Sequence, residues 1–477
     1  MNLLYIHYRG ILVGTISYDS FEKTYELTYA KSWKKDGFEI SPSLGFGGFD
    51  KGAVKSFIEN LLPEGRGFEE LSIYYQVSKS EKFAILKEIG LETTGALTFS
   101  SDEVFTLETS FKEITEDELE EKVKARDIEP IHIWNGTPRL SVAGVQAKLP
   151  LTIYEGKMGF GEGNLCSTHI LKFNRAGENV VTNEFVSMKL AKALGFNVAK
   201  VDCIEIANEC VLFVERFDRE IVNENLINRK HIIDSVQALG LPVSYKYERN
   251  IGKNASQYRE GVSFSKLFSL ADKAVVPVLF KEQIIKWSIL NLIIGNSDAH
   301  GKNISFFVSK DGLEVAPFYD LVNVTMFKGS YEQDMAMAID DVFEYDEINE
   351  FSVREFLETN NISIPVYFKE YEKSVVGLEK ILKNSDFLED EELAKSTEEY
   401  LPEYIDNIKK RVNRISNILN SLRYQMPLED EIYEEFFEEN KNDIKRSLGR
   451  RYVEGDNIDK IVTQYISKTK EQFIKEL

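Results

Sequence analysis

Gly295-Asn296-Ser297-Asp298-Ala299-His300-Gly301-Lys302-Asn303 is a polar stretch that directly follows a strongly apolar run, Ile284 to Ile294. The apolar run reads as a buried helix and the polar stretch as a loop. A short strand-like run, 304–308, and a turn at Lys310-Asp311-Gly312 then return the chain to Val315-Ala316-Pro317-Phe318-Tyr319-Asp320. Asp298, Asn303 and Asp320 are therefore the residues to weigh. Phosphoryl transfer requires little covalent chemistry from a protein. It needs a carboxylate to orient or deprotonate the attacking hydroxyl, and oxygen ligands to hold a divalent cation against the phosphates. An Asp, an Asn five residues later and a second Asp beyond a short hairpin are the parts of such a centre. Taken by spacing alone, the stretch reads equally as a polar turn. His300, one of five histidines, competes with Asp298 as a base; the Asp298/Asn303 spacing instead gives it a structural role through loop hydrogen bonds.

Working outward, Lys172 lies mid-strand in Thr168-His169-Ile170-Leu171-Lys172-Phe173. A lysine there can meet α/β-phosphates, and Glu184 in the amphipathic helix of residues 183–194 is available to pair with it. An edge-strand lysine is the plainer alternative. The segment Ser141-Val142-Ala143-Gly144-Val145-Gln146-Ala147-Lys148 leads from a loop into a strand, and its backbone N–H groups can cradle phosphates. Gly159-Phe160-Gly161-Glu162-Gly163 carries a carboxylate and reads as a hairpin turn rather than a phosphate loop. Residues 201–206 and 211–214 form a hairpin through Asn208. After Arg216-Phe217-Asp218-Arg219 the chain is expected to turn mainly helical, and from about 380 it is helical and heavily charged. At the front, residues 1–100 read as β-rich with one helical insert, 54–62, stopped by Pro63, and another helix at 81–90. Thr115 opens an acidic surface helix with a capping-box pattern.

The 477 residues are 43% hydrophobic and 29% charged, an ordinary globular balance. No apolar run reaches the roughly 20 residues that span a bilayer. The N-terminus has no basic segment followed by a long apolar core, so neither a signal peptide nor a membrane association is expected. Lys and Arg number 58 against 79 Asp and Glu, a net charge of −21, which disfavours bulk nucleic-acid binding. Cys166, Cys203 and Cys210 lack CxxC spacing. They suggest neither a zinc site nor a disulfide framework, and a reducing cytoplasm is expected.

Several stretches, in order along about residues 1–350, resemble the HipA family of bacterial serine/threonine kinases, toxins of type II toxin–antitoxin pairs. They are Phe57-Ile58-Glu59-Asn60-Leu61-Leu62-Pro63-Glu64-Gly65, the loop 141–148, Val214-Glu215-Arg216-Phe217-Asp218-Arg219, and Gln237-Ala238-Leu239-Gly240-Leu241-Pro242 with Lys246-Tyr247-Glu248. The last two are Asp298 to Asn303 and Pro317 to Asp320. The resemblance implies ATP and Mg2+ as cofactors. By position it makes Asp298 the catalytic carboxylate, with Lys302 beside it, and gives Asn303 and Asp320 to the metal. Lys172 would contact the nucleotide phosphates, and Val142, Ala143, Gly144, Val145, Gln146 and Lys148 would cover them. Glu215 and Phe217 would take adenine at a hinge, with Asp218 near the ribose. Gln237 and His300 would line the nucleotide site. Ser141 holds the place of an autophosphorylated serine whose added charge would switch the enzyme off. The segment 173–179, in the place of the family's activation-loop-like region, is short.

The implied fold is α+β and two-lobed, protein-kinase-like. Its expected parts are an N-terminal β-rich subdomain (1–115), a small lobe with phosphate loop and hinge (116–218), a helical large lobe (219–385) and a charged helical extension (386–477). The implied partners are a small helix-turn-helix, HipB-like antitoxin and a protein substrate such as an aminoacyl-tRNA synthetase, glutamyl-tRNA synthetase being the family's best-known target. DNA would be reached only through the antitoxin. A small-molecule phosphotransferase shares the Asp, Asn, Asp set, and a non-catalytic antitoxin-binding regulator would keep the fold. The front of the chain and the intact site residues favour the protein kinase.

Overall fold

The computed structural model describes residues 2–104, 108–126, 128–134, 136–139, 147–174, 178–249, 258–384, 386–388, 397 and 399–423. The chain divides into two compact units. One comprises Met1–Met188, Val198–Lys246 and Ile304–Lys310; the other comprises Lys189–Asn197, Tyr247–Asn303 and Asp311–Leu477.

The first unit begins with strands β1 (Asn2–Tyr8), β2 (Ile11–Asp19), β3 (Thr24–Tyr29) and β4 (Leu97–Ser100), which form one antiparallel sheet in the order β3-β2-β1-β4. In β3, Tyr25, Leu27 and Tyr29 are buried and the residues between them exposed, the period of a half-buried strand. Between β3 and β4 come four helices, α1 (Lys31–Asp36), α2 (Lys51–Leu61), α3 (Gly65–Tyr74) and α4 (Lys82–Ile89), where two were expected. Asp50 caps α2 by accepting from Gly52 N–H at 2.6 Å. The helix ends at Leu62, the residue before Pro63, whose ring disfavours the helical region there.

The second sheet of this unit takes β5 (Ser110–Glu113), β8 (Lys148–Tyr154), β9 (Lys157–Glu162), β10 (His169–Lys172), β11 (Val201–Ile206) and β12 (Glu209–Glu215), in the order β11-β12-β10-β8-β9-β5. Helix α5 (Glu116–Ala125) has the expected capping box between Thr115 and Glu118, and a two-residue pair, β6 (Ile133–Trp134) and β7 (Thr137–Pro138), follows it. Leu149, Leu151, Phe160, Leu171 and Phe173 pack on Leu119, Val123 and Trp134 to make the core. Each such side chain contributes roughly 1.5–3 kcal/mol on burial. Helix α6 (Val180–Ala193) follows β10.

Three expectations need correction here. Residues 159–162 are strand β9, not a turn. A Cβ on Gly161 would lie 1.9 Å from Leu165 O, so its glycine serves a close backbone approach. The turn itself is Glu155-Gly156, both with positive φ. Next, Cys203 and Cys210 are joined as a disulfide with Cα atoms 5.6 Å apart. The hairpin of β11 and β12 brings them together across the strands, which sequence spacing alone did not reveal. Cys166 is free and buried. Finally, strands precede helices after residue 218: β13 (Arg219–Asn223) pairs with β14 (Leu226–Arg229), and β15 (Ile232–Asp234), leading into α7 (Ser235–Ala238), pairs with β16 (Ser305–Ser309).

The second unit is mainly helical: α8 (Phe264–Ser269), α9 (Pro277–Ile294), α10 (Glu350–Thr359), α11 (Ile364–Val375), α12 (Leu378–Asn384) and α13 (Leu401–Arg423), with β17 (Gly312–Val315). Apolar residues surround α9 on every side, the pattern of a helix buried all round, and α8, α11 and α13 pack against it. Among the described residues, no helix is long and apolar enough to cross a membrane.

Candidate active site

The polar loop begins where α9 stops. Gly295 takes a left-handed φ of 80° and gives its N–H to Asn291 O at 2.9 Å; Asn296 N–H goes to the same carbonyl at 3.0 Å. A Cβ on Gly295 would lie 2.5 Å from Arg411 Nε, so the position requires glycine twice over. Asn296 gives its side-chain N–H to Asn291 Oδ1 at 2.9 Å and reaches Asp320 O at 3.4 Å. Val324 N–H donates to Gly295 O at 3.1 Å. These bonds tie the segment around Asp320 to the start of the loop, although the two are far apart in sequence. Asp320 itself has a φ of 58°, a left-handed conformation that Asp tolerates better than most residues.

Asp298 is exposed, whereas Ser297, Ala299, His300, Lys302 and Asn303 around it are buried. Its main-chain oxygen accepts from Asn303 Nδ2 at 2.9 Å and from His300 N–H at 2.7 Å. That bond spends the amide hydrogen of Asn303 inside the loop and makes Oδ1 the atom suited to a cation. His300 Nδ1 accepts from Lys302 N–H at 3.3 Å, the loop-holding role its spacing implied. Lys302 O accepts from Tyr319 OH at 2.7 Å, which fixes the residue before Asp320 to the loop.

Tyr247, in the stretch Lys246-Tyr247-Glu248, gains its role from the fold. Its hydroxyl donates to Asp298 Oδ1 at 2.7 Å, and its ring meets the His300 ring edge-on at 5.0 Å. Glu248 places it. Glu248 accepts from Ala338 N–H at 2.8 Å and from Arg259 Nε at 2.7 Å, and its own N–H goes to Ala336 O at 2.9 Å. Burial raises the Glu248 carboxyl above its ordinary range, opposed by the Ala338 bond and the Arg259 charge. Ala336 N–H in turn donates to Ser297 O at 2.7 Å. Only a signal of contact between Tyr247 and the loop could have marked it in advance.

In the other unit, Lys172 Nζ donates to Glu184 Oε1 at 2.6 Å, as the sequence suggested. Lys172 is not on an edge, since β10 lies between β12 and β8. Lys148 stands directly opposite it on β8. Like charges facing across a ladder are destabilising by themselves, and such a pairing suits a polyanion. Of the phosphate-loop residues, Lys148 is described; Ser141, Val142, Ala143, Gly144, Val145 and Gln146 lie outside the described residues.

The hinge segment leaves β12. Glu215 gives its N–H to Lys200 O at 2.9 Å, its carboxylate accepts from Lys200 Nζ at 3.1 Å, and Phe217 is half-buried against Phe307. Two expected nucleotide residues are otherwise engaged. Asp218 is buried and receives Arg216 Nε at 3.1 Å, Arg216 Nη2 at 2.9 Å and Arg219 Nη1 at 2.7 Å. Burial pushes its carboxyl up, but the two guanidinium groups outweigh that and hold it below the usual range. Its side chain braces the hinge instead of facing a ribose. Gln237, also buried, closes a capping box with Asp234 and gives Nε2 to Phe57 O at 3.3 Å, so its amide joins α7 to α2.

Comparisons with known proteins cover residues of both units. Residues 4–100 match the model of the HipA N-terminal domain, and residues 140–379 match that of the HipA-like C-terminal domain. The serine/threonine-protein kinase toxin HipA of Shewanella oneidensis is 44% identical over 360 residues, 74% of this chain and 82% of that protein. The chain belongs to the HipA family. A solved complex of Shewanella oneidensis HipA with HipB and operator DNA matches at a TM-score of 0.79 and 37% identity, covering 89% of this chain and 100% of that one. The α+β class and the serine/threonine-protein kinase assignment follow from this membership. HipA chemistry, as kinase chemistry, brings with it a phosphoryl donor nucleotide and, in general, a divalent metal. Among the described residues no group of three or more His, Cys, Asp or Glu is arranged to hold a metal alone. Asn303 and Asp320 offer the hard oxygen donors a Mg2+-like cation takes, and phosphate and water oxygens would complete its shell.

Proposed function

We propose that the chain transfers the γ-phosphoryl group of ATP to a serine or threonine hydroxyl of a protein, and acts as the toxin of a toxin–antitoxin pair. The observation that carries this reading is the exposed Asp298 carboxylate, oriented by Tyr247 and joined through its main chain to Asn303. Asp298 accepts the hydroxyl proton as the oxygen attacks the γ-phosphorus, and the bond to the β-phosphate oxygen breaks to leave ADP. Lys172, held by Glu184, and Lys148 bind the nucleotide phosphates, and Lys302 and His300 keep the loop in shape. Mg2+, held by Asn303 and Asp320, would offset phosphate charge.

We assign adenine to the backbone of the Glu215–Phe217 hinge, and inhibitory autophosphorylation to Ser141. A small HipB-like helix-turn-helix protein is the partner by analogy with the Shewanella complex, with DNA reached through it. The net charge of −21 supports that indirect route. An aminoacyl-tRNA synthetase is the substrate class we favour. The working division remains 1–115, 116–218, 219–385 and 386–477. The match of residues 4–100 to the HipA N-terminal domain favours this reading over a small-molecule phosphotransferase.

The test uses the purified full chain with labelled ATP, with and without Mg2+. Phosphoserine should form only with the metal, and Asp298→Ala should lower the rate by roughly 10²–10⁴-fold. Phosphoproteomics after brief induction, wild type against Asp298→Ala, names the substrate. Full activity of Asp298→Ala would overturn the assignment.

A further inference from the structure

Within the helical unit, on the inner side of the loop that carries Asp298, lies a cavity of about 430 Å3, its open mouth included. Its apolar wall includes Phe264, Leu292, Met335, Met337 and Ile339. Two polar residues of the lining stand out, Asn296 at 5% exposure and Arg411 at 8%.

Asn296 uses its N–H groups on Asn291 and Asp320, and its Oδ1 is buried without a hydrogen-bond partner among the described residues. Arg411 gives Nε to Asn407 Oδ1 at 3.2 Å and stacks at 3.8 Å on the Tyr345 ring, while Nη1 is buried without a hydrogen-bond partner. No ion pair to Arg411 is found among the described residues. The C-terminus of α9 at Gly295 offsets part of its charge, since a helix end carries roughly half an elementary charge. The Tyr345 hydroxyl and the Asp346 charge also act on Arg411. Among the described residues, one cavity thus holds a buried cationic group whose Nη1 lacks a partner and a buried acceptor without a donor, beside an apolar wall. Water could meet the hydrogen bonds, but it supplies neither the anion nor contact with the methionines.

We propose that this cavity binds a small carboxylic acid with a hydrogen-bond donor on its α-carbon and a short apolar side chain. The carboxylate lies on Arg411, the donor on Asn296 Oδ1 and the side chain against Met335 and Met337. α-Amino and α-hydroxy acids share this chemistry. Gly295, Asn296, Ser297 and Ala299 both line the cavity and flank Asp298, so an occupant touches the backbone that positions it. An effect on phosphoryl transfer rests on the kinase reading; binding does not.

The test is calorimetric titration of the full chain, without nucleotide, against L-valine, α-hydroxyisovalerate, isovalerate and isobutylamine. Valine or α-hydroxyisovalerate should bind saturably, isovalerate more weakly, and isobutylamine not at all. Arg411→Met should weaken binding by roughly 10- to 100-fold, the worth of a charge-assisted hydrogen bond. Met337→Trp, which fills the cavity and keeps both polar groups, should abolish binding, with circular dichroism confirming the fold; it carries the test if Arg411→Met does not fold. Saturable binding by neither α-substituted acid, undiminished binding in Met337→Trp, or isobutylamine binding as tightly as valine would overturn the proposal.

Discussion

Replacing Lys172 by Met tests, through stability and before any assay of activity, the ion pair that is proposed to meet nucleotide phosphates. The Lys172 and Glu184 side chains are 12% and 2% exposed, with Nζ 2.6 Å from Oε1. At that distance and an effective dielectric near 20, their gross attraction is of order 6 kcal/mol. Desolvation cancels most of it, yet removing one partner of a buried pair costs roughly 3–5 kcal/mol because the other charge is stranded. The two ends are unequal. Lys172→Met takes the lysine from the deeper group and should show the larger loss, up to about 3–5 kcal/mol. Glu184→Gln takes the carboxylate from the lysine, which has more access to water, and should cost about 1–2 kcal/mol. The double variant should recover part of the summed loss, with a coupling of about 1–3 kcal/mol. Trp33 and Trp134 lie in the same unit as the pair and Trp287 in the other. Urea unfolding followed by tryptophan fluorescence in a Trp287→Phe background therefore reports on the relevant unit. The melting temperature of Lys172→Met should fall by about 6–20 °C. A loss under about 1 kcal/mol for Lys172→Met, or equal losses for the two single variants, would refute a buried, asymmetric pair.

Tyr247→Phe removes the hydroxyl from Asp298 Oδ1 and should lower kcat roughly tenfold with KM for ATP unchanged; an unaltered kcat in steady-state assays would deny Tyr247 its positioning role. His231 is buried, gives Nε2–H to Ile40 O at 2.8 Å, and has its pKa lowered to about 4, chiefly by burial. Between pH 6.5 and 4 the unfolded chain binds this proton and the folded chain does not. Stability should therefore be full above pH 6.5 and fall by about 3 kcal/mol on acidification to pH 4. Urea midpoints across that range should flatten in His231→Gln. Gly295→Ala combines a left-handed backbone penalty with a clash against Arg411, and should cost about 2–3 kcal/mol in urea unfolding; a neutral effect would contradict the loop geometry.

The Asp298 loop was legible as a polar stretch after an apolar helix, and only the resemblance to the HipA family set it apart from a plain polar turn; Lys172 with Glu184 was legible because strand and helix periods put both in reach. What escaped the sequence depended on partners brought from afar. Asp218 and Gln237 sit at positions a kinase pattern assigns to nucleotide, yet Arg216 and Arg219 take the one and Asp234 and Phe57 the other. Gly159 and Gly161 suggested a phosphate loop by their letters and a hairpin turn by their place between strand-like runs, whereas the backbones of Lys112 and Leu165 crowd them within a strand. Tyr247 precedes Asp298 by fifty-one residues, beyond the range of any periodicity.

The hairpin of β11 and β12 bears on this last point. Its turn, Ala207-Asn208, has both φ values positive, which fits the two-residue loop joining twisted strands, and a covalent crosslink between Cys203 and Cys210 spans it. A slip of one residue would send every side chain of β12 to the opposite face. Locked against that slip, the strand delivers the peptide groups of residues 215–217 at a constant height along the sheet. In the proposed enzyme, the ruler against which a purine ring is measured would be set before any purine arrives.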